Sequence, residues 1–186
     1  MAAVSSGQTA APIAPATLPE PTTLSEIFHL DRATGALTGL EVVKEKTLHV
    51  GKQEEFYIEG AASPVAFTPA EQTFVIRLVS WNRDGSDLTL DQVQKAISIN
   101  RLVVKNVRPL IVAAKPARLI STTDIAFDAQ PYGQPTRGLD PKNPNLVARS
   151  YRLTPHLILP PGEYKILSLA NARHSFQEWA FGLVQP

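Results

Sequence analysis

From Leu24 onward the sequence consists of short apolar segments separated by turn residues, a pattern typical of an all-β domain. In segment 55–59 the alternation predicts that Phe56 and Ile58 share a buried face. Segment 74–79 is apolar on both faces, as in a central strand. The pattern yields eight to ten strands and favours an antiparallel, immunoglobulin-like β-sandwich over a βαβ arrangement. The predicted strands are 24–30, 37–43, 55–59, 74–79, 99–104, 110–113, 124–129, 147–153, 164–169 and 179–184.

The sequence also predicts one short helix between strands. Thr89 and Gln92 have the spacing of a capping box, in which each side chain binds a backbone N–H at the start of a helix. Leu90, Val93 and Ile97 follow at positions that share one helical face. We therefore expect a turn or two of helix here.

Segment 130–145 is rich in proline and glycine and is predicted to be a long exposed loop, where binding residues are often found. Four aromatic residues fall in or beside predicted loops, namely Trp81, Tyr132, Phe176 and Trp179. Aromatic side chains near loops can form a platform on which a sugar stacks, so Trp81 and Tyr132 are candidate binding residues. Core packing is the more common role of tryptophan, which makes this the minor interpretation.

Residues 1–23 are predicted to form an extended arm or linker, and residues 24–186 the β-sandwich domain. The first 21 residues contain four prolines, six alanines and a single charged side chain, Glu20, a composition that favours an extended chain. They lack the basic and continuous apolar regions of a signal peptide. Two settings remain open: an exported chain in which Met1 replaces a removed leader, and a cytoplasmic or viral protein with a flexible N terminus.

The composition excludes several kinds of chemistry. With no cysteine, the chain cannot form disulfides, thiolate metal sites, iron–sulfur clusters or a cysteine nucleophile. No apolar run approaches the roughly 20 residues that a membrane-spanning helix needs. Because 44% of residues are hydrophobic and only 19% charged, most of the chain should fold.

No catalytic or metal-binding motif is present. There is no Gly-x-Ser-x-Gly, Walker A or Gly-x-Gly-x-x-Gly sequence. The pairs Glu54–Glu55 and Asp124/Asp128 could supply the two carboxylates of a glycosidase, but on strands they are better interpreted as solvent-facing charges. We therefore predict no enzymatic activity, no cofactor and no metal. Nor are any two of the histidines three or four residues apart, as a helical ligand pair would be, since they occupy positions 29, 49, 156 and 174.

Positive charge is concentrated between Asp91 and Asp124, a segment with no acidic residue in between. Since the net charge of the chain is +1 and this basic segment contributes +6, the remainder carries −5. Three interpretations follow: a surface for an anionic polymer, contact with the acidic part of another copy, and charged side chains that limit pairing at strand edges. Nucleic acid is the least favoured polymer because no aromatic residues are interleaved with the basic ones. The candidate binding residues are Lys95, Arg101, Lys105, Arg108, Lys115 and Arg118.

The segment from Leu159 to Tyr164 has the layout of a tyrosine corner, in which a tyrosine hydroxyl binds backbone a few residues upstream and fixes a crossover in a sandwich. Leu159, Pro161, Gly162 and Tyr164 are its candidate structural residues.

The same stretch carries a resemblance. Leu159 and Pro161-Gly162-Glu163-Tyr164, followed by Phe181-Gly182, resemble the end of a β-sandwich domain of unknown function found in exported bacterial proteins. The turn Leu30–Gly35 and the segment from Gly60 to the Phe74 strand are similar to the opening of that domain. The resemblance covers most of residues 24–184 and implies a sandwich fold and an envelope setting, with no catalytic residues.

These observations predict a non-catalytic structural or interaction subunit of a bacterial cell-envelope or extracellular assembly. The N-terminal arm would contact a neighbouring subunit, of the same or another kind, by adding an extended segment to a free sheet edge. Two alternatives remain open: a phage or virion structural protein, and a module that binds carbohydrate or an anionic polysaccharide.

Overall fold

The computed structural model describes residues 19–21, 23–24, 26–50, 53–68, 72–80, 82, 84–107, 115–139, 142, 144–169 and 177–185. In this part of the chain we find thirteen strands and one helix. The elements are β1 (Ile27–Leu30), β2 (Leu37–Gly39), β3 (Glu41–Val43), β4 (Lys46–Val50), β5 (Gln53–Glu59), β6 (Ala66–Phe67), β7 (Phe74–Val79), α1 (Leu90–Ala96), β8 (Ile97–Val107), β9 (Lys115–Asp124), β10 (Phe127–Arg137), β11 (Val147–Pro155), β12 (Gly162–Ser168) and β13 (Gln177–Leu183).

The strands form two sheets. Sheet A has the order β10-β11-β7-β1-β2, and sheet B the order β3-β13-β12-β8-β9-β5-β4. Every pairing along these two paths is antiparallel, and the short β6 lies beside β13 in parallel. The fold is thus the predicted all-β sandwich.

The main core lies between the sheets. Phe181 of sheet B packs on Phe74 of sheet A at 4.9 Å and on Tyr164 at 5.3 Å, both measured between ring centroids. Trp179 is 2% exposed and packs in the same core, which agrees with the common role of tryptophan. β7 is buried along nearly its whole length, as its two apolar faces predict.

Segment 37–43, predicted as one strand, is two. β2 pairs with β1 in sheet A, whereas β3 pairs with β13 in sheet B. Leu40 between them is buried in the main core, and its N–H donates to the Ile27 carbonyl. The chain crosses from one sheet to the other at this point because Leu40 enters the core.

The predicted buried face of 55–59 is wrong for one residue. Ile58 is buried, but Phe56 is 48% exposed and Tyr57 is buried instead. Both faces of β5 are covered here: Tyr57 packs with Leu119, and Ile58 belongs to a separate cluster with Leu102.

The predicted loop 130–145 is also partly wrong, since β10 continues as far as Arg137. Pairing with β11 continues through Pro131 and is interrupted by a register shift between Tyr132 and Thr136. Because β10 is the outermost strand of sheet A, Pro131 and Pro135 need not donate to a further strand.

The helix prediction is confirmed. Thr89 Oγ1 accepts from the N–H of Gln92, and the Gln92 side chain accepts from the N–H of Thr89. α1 leads directly into β8. The predicted strand 110–113 lies outside the described residues.

Sheet B curls on itself. Four strand intervals separate β3 from β9, which would be about 19 Å in a flat sheet. Yet Arg118 Nη1 on β9 lies 3.0 Å from Glu41 Oε2 on β3. The curl encloses Arg118, which is 1% exposed, and Glu163 lies 3.6 Å from it on the same concave face.

Candidate protein-interaction site

Strand β8 extends beyond its neighbour β12. β12 pairs with β8 only as far as Leu102, whereas β9, on the other side of β8, pairs with it as far as Val107. Pro160 and Pro161 immediately precede β12; neither has an N–H to donate, and their fixed φ turns the chain away from the sheet. Among the described residues, the edge of β8 from 103 to 107 therefore has no strand beside it.

A groove of about 1050 Å³ adjoins the start of this edge, at Val103 and Val104. Four consecutive residues of β8 line it, although alternate side chains of a strand point to opposite faces. Such lining is expected where the edge of the strand itself faces the groove. These residues are Arg101, Leu102, Val103 and Val104; the loop 156–160, segment 124–126 and the start of β12 also line the groove.

Tyr164 anchors that loop. Its hydroxyl donates to the Pro160 carbonyl at 2.5 Å, the contact that a tyrosine corner requires, and Leu159 is buried in the main core. Held in this way, the loop exposes 77% of Leu157 and 70% of Ile158. Two adjacent aliphatic side chains thus face solvent beside an open strand edge.

Arg101 supplies the positive charge of the groove. Its guanidinium donates to the Pro161 carbonyl at 3.3 Å and lies over Gly162, where a Cβ would be 3.4 Å from its Nε. Within the described part of the chain, no carboxylate lies within ion-pair distance of it. The guanidinium is therefore available to an anionic group of a ligand.

The acidic groups lining the groove have other partners. Asp124 accepts a hydrogen bond from Asn100. Glu163 accepts from the N–H of Ser63 at 2.8 Å and pairs with Arg118. Burial raises the pKa of Glu163, although these two contacts oppose the increase.

The structure separates the members of the predicted basic segment. Lys95 lies on α1 and pairs with Asp91 at 2.7 Å, while Arg101 and Lys105 are exposed on β8. Arg118 is not part of a basic surface: it is buried within the curl of sheet B, where Glu41 and Glu163 neutralise it. Arg108 and Trp81 lie outside the described residues, as does the side chain of Lys115.

Tyr132 is not a surface platform either. It lies in β10, is 4% exposed and packs with Leu30 and Val75 on the outer face of sheet A. Its hydroxyl donates to the Pro19 carbonyl at 3.1 Å.

This contact belongs to a second notable feature, the docking of residues 19–21, which we call the arm end. Glu20 Oε2 lies 3.2 Å from Arg77 Nη1 and accepts a hydrogen bond from Ser150 Oγ at 3.4 Å. Arg77 Nη2 donates to Thr136 Oγ1 at 2.6 Å, so the guanidinium is fixed from two sides. Gly133 makes room for the carboxylate, since a Cβ there would lie 2.0 Å from Glu20 Oε1.

The arm end crosses the outer face of sheet A. Arg77, Ser150 and Tyr132 lie on β7, β11 and β10, which are adjacent in that order. Pro21 therefore lies by β7 and Pro19 by the outermost strand.

The described residues contain neither a metal-ligand cluster nor a membrane-spanning helix. The described side chains include no group of three or more metal-ligating residues placed to hold an ion. No helix among these residues is long and apolar enough to cross a membrane.

Sequence reasoning missed the exposed pair Leu157–Ile158 and the contact between Glu20 and Arg77. Two signals were available: an apolar run, 157–159, directly before a Pro-Pro turn, and one charge isolated between prolines in the arm. Comparisons of the chain with protein-family models, curated proteins and solved structures found no match.

Proposed function

We propose that this chain is a non-catalytic structural or interaction subunit of a bacterial cell-envelope or extracellular assembly, and that its N-terminal arm contacts a neighbouring subunit. The observation that carries the proposal is the docked arm end. It fixes the chain across β7, β11 and β10, with Pro19 at the outermost strand of sheet A.

Docking of the arm end lowers the conformational entropy that the arm loses when it binds a neighbouring subunit. A segment that is already held at one end loses less conformational freedom when the rest binds a partner. The 18 residues before Pro19 can reach about 60 Å if extended, and their prolines favour extension. An arm of this length is sufficient to lie along a neighbour of similar size.

The envelope setting is supported by the sequence resemblance alone, and the same arm would serve in a virion. Binding of an anionic polymer has weaker support: of the four predicted residues whose side chains are described, Lys95 and Arg118 are held in ion pairs, which leaves Arg101 and Lys105.

The solution mass of the full chain tests the proposal. We expect light scattering to show species heavier than a monomer that increase with protein concentration. A chain that lacks residues 2–18 but keeps the arm end should remain monomeric and unfold at the same temperature.

Glu20→Gln should shift the full chain toward monomer, because it removes the charge that Arg77 binds. Glu55→Gln, the same change at an exposed position on β5, is the matched control and should leave the mass unchanged. Equal masses for the full and shortened chains at every concentration would contradict the proposal.

A further inference from the structure

We propose that the groove beside β8 binds an extended segment of a partner protein by strand addition. The segment would carry apolar side chains at alternate positions and a carboxylate that pairs with Arg101. The inference does not rest on the proposed function, because the groove and the arm end lie on different parts of the molecule.

The open edge supplies the backbone contacts. Residues 103–107 pair with β9 on one side, and the described residues place no strand on the other. Their outward N–H and C=O groups can therefore form a ladder with an incoming strand, and five residues is an ordinary strand length. The incoming strand would occupy the place that β12 would fill if Pro160 and Pro161 did not turn the chain away.

Exposed apolar side chains supply the contacts on both faces of the incoming strand. Val103 and Val104 point to opposite faces of β8, and each is nearly half exposed. A strand laid against this edge would cover both, and Leu157 and Ile158 line the same groove. Burying such side chains is the main favourable term in association.

Charge selects among extended segments. Arg101 lines the groove and has no acidic partner among the described residues, so a carboxylate in the bound segment would gain a charge-assisted hydrogen bond. The arm of a second copy does not meet this requirement, because Glu20 is its first acidic residue and is held by Arg77. The occupant is therefore a segment of a different protein.

A random peptide library displayed on phage and selected against the full chain tests the proposal. We expect enriched sequences to share alternating apolar residues and one aspartate or glutamate. The most enriched peptide, synthesised with a fluorescent label, should bind the full chain saturably in an anisotropy titration.

Two variants locate the binding. Arg101→Gln should weaken the peptide about tenfold, the size expected for loss of a hydrogen bond to a charged group. The double variant Leu157→Ser and Ile158→Ser should weaken it at least as much. Lys44→Gln, at an exposed lysine between β3 and β4, and Val42→Ser, at an exposed valine on β3, are the matched controls and should bind as the unaltered chain does.

Hydrogen exchange distinguishes strand addition from other modes of binding. The bound peptide should slow exchange at alternate amides within 103–107. A library that yields no such sequences, a peptide that binds the Arg101 and Leu157/Ile158 variants as tightly as the unaltered chain, or binding without new protection at 103–107 would each overturn the proposal.

Discussion

Gly133 shows how one residue controls the docking of the arm end. Its φ of +78° lies in the left-handed region, which glycine adopts without strain, and its missing side chain leaves the space that the Glu20 carboxylate occupies. Glycine is thus required here for two separate reasons, one of backbone conformation and one of space.

Replacing Gly133 with alanine should destabilise the chain for both reasons. The left-handed conformation alone costs about 1–2 kcal/mol for a residue with a Cβ, and the displaced carboxylate adds to this. In a Glu20→Ala background only the conformational part remains, so the cost of Gly133→Ala should fall. Urea unfolding of the four proteins in this double-mutant cycle measures how much less Gly133→Ala destabilises the Glu20→Ala chain. Equal destabilisation in both backgrounds would contradict the close approach of Glu20 to Gly133.

Glu163 makes stability depend on pH. Because burial raises its pKa above the ordinary glutamate value of 4.5, the folded state keeps its proton over a range in which the unfolded state has lost it. Stability from this group is therefore full below pH 4.5 and is lost as pH rises through the raised pKa of the folded state. The groups that face it are Arg118, Glu41 and the N–H of Ser63.

Glu163→Gln should remove this dependence, since glutamine does not titrate. The free energy of unfolding of the unaltered chain, minus that of the variant, should be larger at pH 4 than at pH 8. Urea unfolding of both proteins across that range measures the difference. A difference that rises with pH would show that Arg118 lowers the pKa of Glu163 more than burial raises it.

At the scale of single elements, the sequence predicted the features that depend on residues close together in the chain. The capping box at Thr89 and the apolar faces of β7 depend on neighbours in the sequence, and both were predicted correctly. The division of 37–43 between two sheets depends on where Leu40 enters the core, and the burial of Tyr57 depends on its packing with Ala117 and Leu119 of β9. Neither can be read from spacing, because each requires strands that are distant in sequence.

The cap of α1 can be tested directly. Thr89→Ala removes the acceptor for the Gln92 N–H and should lower the free energy of unfolding by about 1 kcal/mol. Thr38→Ala, at an exposed position on β2, is the control and should change it much less. Equal effects of the two substitutions in urea unfolding would show that the cap does not stabilise the fold.

At the scale of the whole molecule, the curl of sheet B determines which charges reach the surface. Arg118 belongs to the basic segment in sequence, yet the curl brings it to Glu41 across four strand intervals. Of the groove, the sequence predicted Arg101 and the tyrosine corner, because both belong to recognisable local patterns. The open edge could not be predicted, because it arises from the different lengths of β8 and β12 once they pair.

Arg118→Met should be strongly destabilising. It leaves Glu41 and Glu163 on the concave face without their cation, and breaking a buried ion pair in this way typically costs about 3–5 kcal/mol. Arg152→Met on β11 is the control, since Arg152 is only partly buried and bonds to the neutral Gln130, and it should cost far less. Similar unfolding temperatures for the two variants would show that the ion pairs of Arg118 do not stabilise the curl of sheet B.

The prolines of β10 have a consequence for behaviour at high concentration. Fibrils grow when identical strands stack edge to edge, and each added strand needs N–H donors from the one before it. One edge strand of sheet A is β10, which contains Pro131 and Pro135. The other is the three-residue β2, so both edges are poor templates for such growth. We therefore expect any amyloid formation by the folded domain to begin on sheet B rather than on the described edges of sheet A.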